Sequence, residues 1–164
     1  MMIPVVTVIG KSGSGKTTLM EKLIIEMKRR GFRIGTLKHH FHSGFEVDQP
    51  GRDSWRHAQA GSEHVIIAAP DKIASYRLLQ QELEFEEILK EFKDLDLILV
   101  EGYKSAKQPS IEVVRLENGI QIISEPKQRI AFASDVKLVV DVPVIGLDDI
   151  PALADLIEKD ILEV

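Results

Sequence analysis

Short apolar runs alternate with segments of helical periodicity along the chain. Residues 5–9 and 95–100 are rich in valine, isoleucine and leucine, which is typical of strands buried on both faces of a sheet. Between residues 19 and 27 the apolar positions recur at intervals of three and four, and this spacing predicts an amphipathic helix that ends at Gly31. Strands that alternate with helices favour a three-layer α/β fold with a mostly parallel sheet.

The rest of the pattern adds further strands and helices. Strands are predicted at residues 33–38, 64–68, 73–78, 111–116, 120–124, 130–134 and 137–141, and helices at residues 53–60, 85–92 and 151–161. The Asn118-Gly119 pair predicts a tight hairpin between residues 111–116 and 120–124, which would give the sheet an antiparallel extension. Its apolar strands would leave an edge open for pairing across a dimer.

Composition places the chain among ordinary globular proteins. Its 164 residues suffice for one core, so a single domain spanning residues 1–164 is predicted. A net charge of −5 and the lack of a long basic run argue against nucleic acid as a partner. The sequence has no cysteine, no apolar run of membrane-spanning length and no signal-peptide pattern, so a cytoplasmic protein without disulfides or membrane contact is expected.

The stretch after the first strand reads GKSGSGKT, residues 10–17. It matches G-x-x-x-x-G-K-[ST] and lies between a predicted strand and a predicted helix, which is the context that a phosphate-binding loop requires. The glycines let the backbone turn successive amides toward phosphate oxygens, and the helix presents its positive end. Lys16 would reach the terminal phosphates, and the Thr17 hydroxyl would bind magnesium. The expected nucleotide contacts are Gly10, Lys11, Ser12, Gly13, Ser14, Gly15, Lys16, Thr17 and Thr18.

A phosphate loop also needs an acid near the magnesium ion, at the end of a neighbouring buried strand. Glu101 and Gly102 follow the strand at residues 95–100, so we expect Glu101 to hold the ion through water and the Gly102 amide to contact the terminal phosphate. Asp48 lies in a long polar loop and is a second candidate, either for the ion or for positioning the attacking water. A turn residue before Pro50 is the alternative for Asp48.

Four stretches together resemble one protein family. They are the phosphate loop, GTLKHH at residues 35–40, GRDSWRHAQAG at residues 51–61 and VEGYK at residues 100–104, and with them the chain resembles the molybdopterin-guanine dinucleotide biosynthesis protein B family, MobB. The resemblance implies a P-loop NTPase fold, binding of GTP with magnesium, weak GTP hydrolysis and a homodimer. It also implies an accessory role toward the enzyme that joins GMP to molybdopterin, with the pterin as a candidate ligand.

The sequence gives weaker evidence for recognition of the guanine base than for binding of the phosphates. The chain has one asparagine, Asn118, so the Asn-Lys-x-Asp signature by which many GTPases bind guanine is absent. Asp135 follows a predicted strand, and its carboxylate could accept two hydrogen bonds from guanine. A turn or helix-cap role fits the same position. Preference for GTP over ATP therefore rests on the resemblance.

Histidine and lysine side chains leave alternatives open. His39, His40 and His42 could contact a second substrate or a partner protein, bind a metal ion, or be solvated loop residues. The metal alternative is disfavoured because neighbouring side chains of an extended segment point to opposite faces. Lys11 is either an exposed loop lysine or a residue that reaches the nucleotide of a dimer partner.

Besides the accessory GTP-binding protein, which is favoured, two other functions fit the motifs. A small-molecule kinase would use Asp48 to take the proton of its acceptor, and a nucleotide-controlled metal-delivery protein would use the histidines. Arg52 and Arg56 are candidates for contact with phosphate, whereas an ion pair between Asp53 and Arg56 is the simpler account. Because neither a water-positioning glutamine nor an arginine finger is evident, slow turnover is expected.

Overall fold

The computed structural model describes residues 2–42 and 44–164. In chain order its main elements are β1 (Val5–Gly10), α1 (Lys16–Arg29), β2 (Ile34–Lys38), α2 (Asp53–Gln59), β3 (His64–Ala69), β4 (Lys72–Arg77), α3 (Phe85–Leu89), β5 (Leu97–Glu101), β6 (Ser110–Val114), β7 (Arg129–Ser134), β8 (Val144–Gly146) and α4 (Ile150–Ile157). The described residues form two compact units, the first from residues 2–39 and 92–164 and the second from residues 40–91. The single domain stays a prediction.

A parallel sheet forms the centre of the first unit. In the described residues its strand order is β2-β5-β1-β6-β7-β8, and all neighbouring strands run parallel. β1 is buried along its whole length, because its residues are mostly aliphatic and it has a strand on each side. The α/β class and the mostly parallel sheet are confirmed, as are the strands predicted at residues 5–9, 95–100 and 130–134.

Helices α1 and α4 cover one face of this sheet. Leu23 and Met27 of α1 and Leu153 and Ile157 of α4 are fully buried, and they join one apolar cluster with alternate residues of four strands. Those strand residues are Val6, Val8, Leu97, Leu99, Ile111, Val113, Ala131 and Ala133. Because alternate residues of a strand share a face, both helices pack on the same side of the sheet.

A cluster of charged side chains joins the end of α1 to α4 and the turn after it. Glu26 accepts hydrogen bonds from Arg29 at 2.7 and 2.8 Å and from Arg30 at 2.7 Å. Arg30 also pairs with Asp155 at 2.6 Å and with Glu158 at 2.9 Å. The hydrogen bonds from Arg29, and then those from Arg30, lower the pKa of Glu26 to about 2. The ionised form of Glu26 therefore favours the folded state.

The hairpin predicted around Asn118 and Gly119 is wrong. β6 pairs in parallel with β1 on one side and with β7 on the other, so it is an interior strand and offers no edge to a dimer partner. Leu116–Asn118 forms a short 3-10 turn instead. Asn118 lacks the positive φ that both central residues of a type I′ hairpin turn require.

Two strands predicted on either side of β7 are also wrong. Residues 120–124 and 137–141, all of which the structure describes, form neither helix nor strand. In the first segment the amides of Ile123 and Ser124 donate to the buried Glu112 carboxylate at 2.8 and 2.9 Å, and not to a neighbouring strand. β8 was not predicted, because its three residues are too few to show the alternation of apolar and polar positions that indicates a strand.

The second unit contains the antiparallel pair of β3 and β4. The two strands pair from His64 opposite Arg77 to Ala69 opposite Lys72, which confirms the strands predicted at residues 64–68 and 73–78. Their pairing supplies the antiparallel part of the fold. Apolar side chains in and just after this pair are exposed, namely Ile66, Ile67, Ile73, Leu78 and Leu79. Within the described part of the chain, no helix combines the length and the apolar character that crossing a membrane requires.

Candidate functional site

The loop GKSGSGKT joins β1 to α1 at the carboxyl edge of the sheet. Gly13 and Gly15 have φ angles of 75° and 90°, a left-handed conformation that glycine adopts with little strain. Gly15 is also the N-cap of α1, and it has no side chain to cap the first amides of that helix. An uncapped helix N-terminus beside a glycine loop leaves several amides able to bind an anion. The loop therefore has the form expected of a phosphate-binding loop.

Lys16 folds back over this loop. Its Nζ donates to the carbonyl oxygen of Gly10 at 3.1 Å and to that of Lys11 at 2.8 Å. Burial lowers the pKa of the Lys16 ammonium, and two neighbouring lysines lower it further, while the negative charge of Glu101 acts in the opposite direction. The ammonium group is thus partly buried and is held by carbonyl groups of the loop itself.

The structure brings Thr17 and Glu101 together. The Thr17 hydroxyl donates to the carboxylate oxygens of Glu101 at 3.0 and 3.1 Å, and Lys38 Nζ lies 3.1 Å from one of them. This contact follows from the strand order, because β5 lies between β1 and β2 and the three parallel strands end at the same edge. A hydroxyl and a carboxylate side by side are oxygen donors of the type that Mg²⁺ prefers.

Gly102 is engaged within the sheet. Its amide donates to the carbonyl oxygen of Val8 at 3.0 Å, and the amide of His39 donates to the carbonyl oxygen of Glu101 at 3.1 Å. The ring of His39 also packs on that of Tyr103, with 4.2 Å between the centroids. In this conformation the Gly102 amide is used by β1, so its contact with a terminal phosphate stays a prediction.

Residues Arg115–Asn118, called the 115–118 segment below, contact the phosphate loop. Arg115 Nε donates to the Ser14 carbonyl oxygen at 3.0 Å, and Asn118 Nδ2 donates to the Ser12 carbonyl oxygen at 3.1 Å. Lys11 Nζ donates to the Asn118 carbonyl oxygen at 3.0 Å. These partners are 101 to 107 positions apart in the sequence, and no local pattern could have indicated them.

Asp135 lies directly after β7, at the same edge of the sheet as the phosphate loop, and it is exposed. Its Oδ1 accepts a hydrogen bond from the amide of Leu116 at 2.9 Å. Beside it is an open cleft of about 390 Å³, lined by Ser134, Asp135, Val136, Lys137, Leu138 and Val144. This volume is within the range of small-molecule pockets. The position fits a base-binding residue, and the bond to Leu116 fits a turn residue.

Asp48 belongs to the second unit. Its Oδ1 accepts a hydrogen bond from the amide of Gln49 at 2.8 Å, and its Oδ2 accepts one from the Tyr76 hydroxyl at 3.2 Å. A hydrogen bond from the Ser54 side chain is the main cause that lowers the pKa of Asp48. These contacts suit a residue that orders its own loop, and its role toward magnesium or water stays a prediction.

The described histidines do not form a metal site. Across residues 2–42 and 44–164, no three or more histidine, aspartate and glutamate side chains are placed to hold one metal ion. His40 Nδ1 instead lies 2.9 Å from the carbonyl oxygen of His42. The exposed pair of Arg56 and Asp53 is 3.8 Å apart, which matches the simple ion pair expected there.

A family model matches most of the chain. The model of MobB, molybdopterin guanine dinucleotide synthesis protein B, covers residues 5–135. The chain belongs to this family. The resemblance that the four sequence stretches indicated is therefore confirmed. The P-loop fold of MobB proteins implies that the chain binds a nucleotide.

Known MobB proteins are similar along nearly the whole chain. The molybdopterin-guanine dinucleotide biosynthesis adapter protein of Haemophilus influenzae is 36% identical over 159 residues, which are 96% of this chain and 89% of the relative. The adapter protein of Escherichia coli is 36% identical over 165 residues, with 95% and 92% covered. A crystal structure of molybdopterin-guanine biosynthesis protein B is 26% identical, covers 94% of this chain and 98% of that chain, and has a TM-score of 0.72.

Proposed function

We propose that the chain is a GTP-binding adapter in the formation of molybdopterin guanine dinucleotide, where it assists the enzyme that joins GMP to molybdopterin. Family membership and the names of the two relatives support this role. The observation that carries the nucleotide part is the cluster of Lys16 and Thr17, at the start of α1, with Glu101, at the end of β5. A cation, a hydroxyl and an acid are the groups that a triphosphate and its metal ion need.

Magnesium is the proposed companion of the nucleotide. The Thr17 hydroxyl and the Glu101 carboxylate would hold it, directly or through water, because Mg²⁺ prefers oxygen ligands and keeps several of its waters. When bound, the ion would neutralise charge on the phosphate oxygens. Lys38 Nζ lies 3.1 Å from Glu101 Oε1 and places a positive charge beside that carboxylate.

Asp135 is the proposed contact for guanine. A carboxylate accepts two hydrogen bonds side by side, which suits the adjacent N–H groups on the edge of guanine that adenine lacks. The cleft beside Asp135 and its location at the same sheet edge as the phosphate loop support this assignment. The pterin is a candidate second ligand of the same protein.

GTP hydrolysis by the isolated chain is proposed to be slow. Lys16 and the metal ion would stabilise charge on the terminal phosphate, while Asp48 is the candidate for positioning water. Asp48 already carries hydrogen bonds from Gln49 and Tyr76, which compete with that task. We expect turnover far below the roughly 1–100 s⁻¹ of kinases. Rapid multiple turnover in magnesium buffer would contradict this.

A cytoplasmic homodimer is the proposed state of the protein. Exposed apolar side chains of the second unit, Ile66 and Ile73 among them, support burial against a second copy. Lys11 is a candidate to reach the partner's nucleotide, and to do so it would have to leave the carbonyl oxygen of Asn118. Analytical ultracentrifugation tests the state, and a monomer at micromolar concentration would exclude the dimer.

Calorimetric titration with GTP and with ATP, each with and without magnesium, tests the nucleotide part. Wild type should bind GTP more tightly than ATP, and magnesium should strengthen binding. Lys16→Ala should lose most of the affinity for both nucleotides. Equal binding of GTP and ATP by wild type would contradict the assigned preference.

The variant Asp135→Asn isolates the contact with the base. Its amide oxygen can still accept the hydrogen bond from the Leu116 amide, whereas its NH₂ group would face the donors of guanine. GTP affinity should fall about 10- to 150-fold and ATP affinity should stay within twofold, because a lost hydrogen bond to a charged group costs about 1.5–3 kcal/mol. An equal loss for both nucleotides would show that Asp135 acts on the fold and not on the base.

The adapter part needs a separate assay. Formation of molybdopterin guanine dinucleotide by the GMP-joining enzyme is measured with wild-type chain, with Lys16→Ala and without the chain. We expect stimulation by wild type only. No stimulation under any condition would contradict the adapter role and would leave the nucleotide result intact.

A further inference from the structure

The 115–118 segment contacts the phosphate loop through two side chains. Arg115 donates to the carbonyl oxygen of Ser14 and Asn118 to that of Ser12, at 3.0 and 3.1 Å. Both acceptors are backbone atoms of the loop, and they belong to residues two positions apart. The segment therefore holds the loop backbone at two points, and neither of these hydrogen bonds uses a side chain of the loop.

Two of the loop glycines face these two side chains. A Cβ atom on Gly15 would lie 3.2 Å from Arg115 Nε, and a Cβ atom on Gly13 would lie 3.3 Å from Asn118 Nδ2. Both distances are shorter than ordinary van der Waals contacts. Gly13 and Gly15 thus do more than permit a left-handed backbone, because they also let the segment approach the loop.

The geometry of the peptide group links these two hydrogen bonds to ligand binding. In a planar trans peptide the C=O of one residue and the N–H of the next point in opposite directions. Holding the Ser12 carbonyl toward the segment therefore turns the Gly13 amide away from it, and holding the Ser14 carbonyl does the same for the Gly15 amide. Amides that point into the loop are the donors that a phosphate would use.

The segment is also anchored away from the loop, since its Leu116 amide donates to Asp135 Oδ1 at 2.9 Å. Lys11 of the loop donates through Nζ to the Asn118 carbonyl oxygen at 3.0 Å and adds a third hydrogen bond between loop and segment. The chain then continues to Ser124, whose amide and hydroxyl donate to the buried Glu112 carboxylate. Fixed at both ends, the segment is a firm support for the loop.

We propose that Arg115 and Asn118 are positioning residues that hold the phosphate loop in its anion-binding conformation before any ligand arrives. The inference rests on the proposed function in one respect, since it takes a nucleoside triphosphate as the ligand. Neither side chain needs to touch the nucleotide, because each acts on it through the direction of one peptide group.

Two variants that conserve charge test the proposal. Arg115→Lys keeps the positive charge and removes the guanidinium Nε donor, and Asn118→Leu removes the amide donor without adding charge. Because the net charge is unchanged, a weaker affinity for the triphosphate cannot come from long-range electrostatics. Ile120→Ala is the control, since it shortens an exposed side chain just outside the segment.

Calorimetry with GTP and with GMP separates positioning from a general loss of structure. We expect the Kd for GTP to rise about tenfold in both variants, about 1.4 kcal/mol at 25 °C. The Kd for GMP should stay within twofold, because GMP lacks the two outer phosphates. Ile120→Ala should match wild type for both ligands. Unchanged GTP affinity in the folded variants, or equal losses for GTP and GMP, would overturn the proposal.

Amide hydrogen exchange of the unliganded protein tests the same point without a nucleotide. Exchange of the peptide containing residues 12–16 should be about tenfold faster in Arg115→Lys and Asn118→Leu than in wild type, with exchange of β1 unchanged. Equal exchange in the variants would overturn the proposal. If wild type binds neither GTP nor GMP, the proposed function fails, and the exchange measurement still decides whether the segment holds the loop.

Discussion

Replacing Glu112 with glutamine should destabilise the protein by about 2–4 kcal/mol. The Glu112 side chain is 1% exposed and lies on the interior strand β6. Its carboxylate accepts three hydrogen bonds, from the Ile123 amide at 2.8 Å, the Ser124 amide at 2.9 Å and the Ser124 hydroxyl at 2.5 Å. These bonds fasten the chain that follows the 115–118 segment to the middle of the sheet.

The size of the effect follows from what glutamine can replace. Its amide keeps one oxygen, which at the Oε2 position can still accept both hydrogen bonds from Ser124, but its NH₂ group then faces the Ile123 amide. Losing the Ile123 bond removes about 1.5–3 kcal/mol, and the two remaining bonds each lose about 1 kcal/mol because their acceptor is no longer charged. Relief from burying a carboxylate offsets part of this loss, which leaves the smaller net value.

Urea unfolding at pH 7, followed by circular dichroism, measures the difference through linear extrapolation. Glu125→Gln is the matched control, because it makes the same chemical change at an exposed neighbouring position. That control should lie within about 0.5 kcal/mol of wild type. A loss below about 1 kcal/mol for Glu112→Gln, or a loss equal to that of the control, would refute the reasoning.

Other outcomes follow from individual contacts. Because the pKa of Glu26 is about 2 in the folded protein and near its ordinary value of 4.5 when unfolded, its contribution to stability is complete above pH 4.5 and is lost as the pH falls toward about 2. The urea midpoint should fall across this range, and less so in Glu26→Gln. Thr17→Ala should remove the gain in GTP affinity that magnesium gives, measured by calorimetry, while affinity without magnesium stays within twofold. Gly31→Ala should lower the free energy of unfolding, measured in urea, by about 1–2 kcal/mol. Gly31 has a φ of 96°, and a side chain strains a backbone in this conformation even where open space surrounds it. Gly31→Asn should cost less, because asparagine adopts positive φ more readily than alanine.

The parts of the site that the sequence predicted are those that a short motif and the strand order determine. The glycine loop lies directly between β1 and α1, so its position needs no distant contact. The meeting of Thr17 with Glu101 needs one further condition, that β1 and β5 are parallel neighbours, and two buried apolar runs in an alternating pattern already favour that arrangement. Local information was therefore enough for this half of the site.

The 115–118 segment could not be predicted because tertiary contacts override its local preference. An Asn-Gly pair favours a hairpin, a preference that depends on the backbone of two residues alone. In the folded chain, Asn118 instead donates to Ser12 and accepts from Lys11, and the next turn is tied to Glu112. Several hydrogen bonds of about 1 kcal/mol each outweigh one turn preference. Their partners are distant in the sequence, so the residues around Asn118 do not indicate them.

Two side chains of the site, Lys16 and Thr17, already have hydrogen-bond partners within the protein, and this has a consequence for binding. Lys16 is paired with the carbonyl oxygens of Gly10 and Lys11, and Thr17 with Glu101, so a nucleotide and its metal ion would exchange these bonds for new ones. Thr17 exchanges one hydrogen bond for another, which contributes only about 0.5–1.5 kcal/mol. Lys16 and the uncapped amides at the start of α1 gain more, because a phosphate gives them charged acceptors in place of carbonyl oxygens or water. Affinity should therefore depend on Lys16 and on how the loop backbone is oriented, which is the property that Arg115 and Asn118 control.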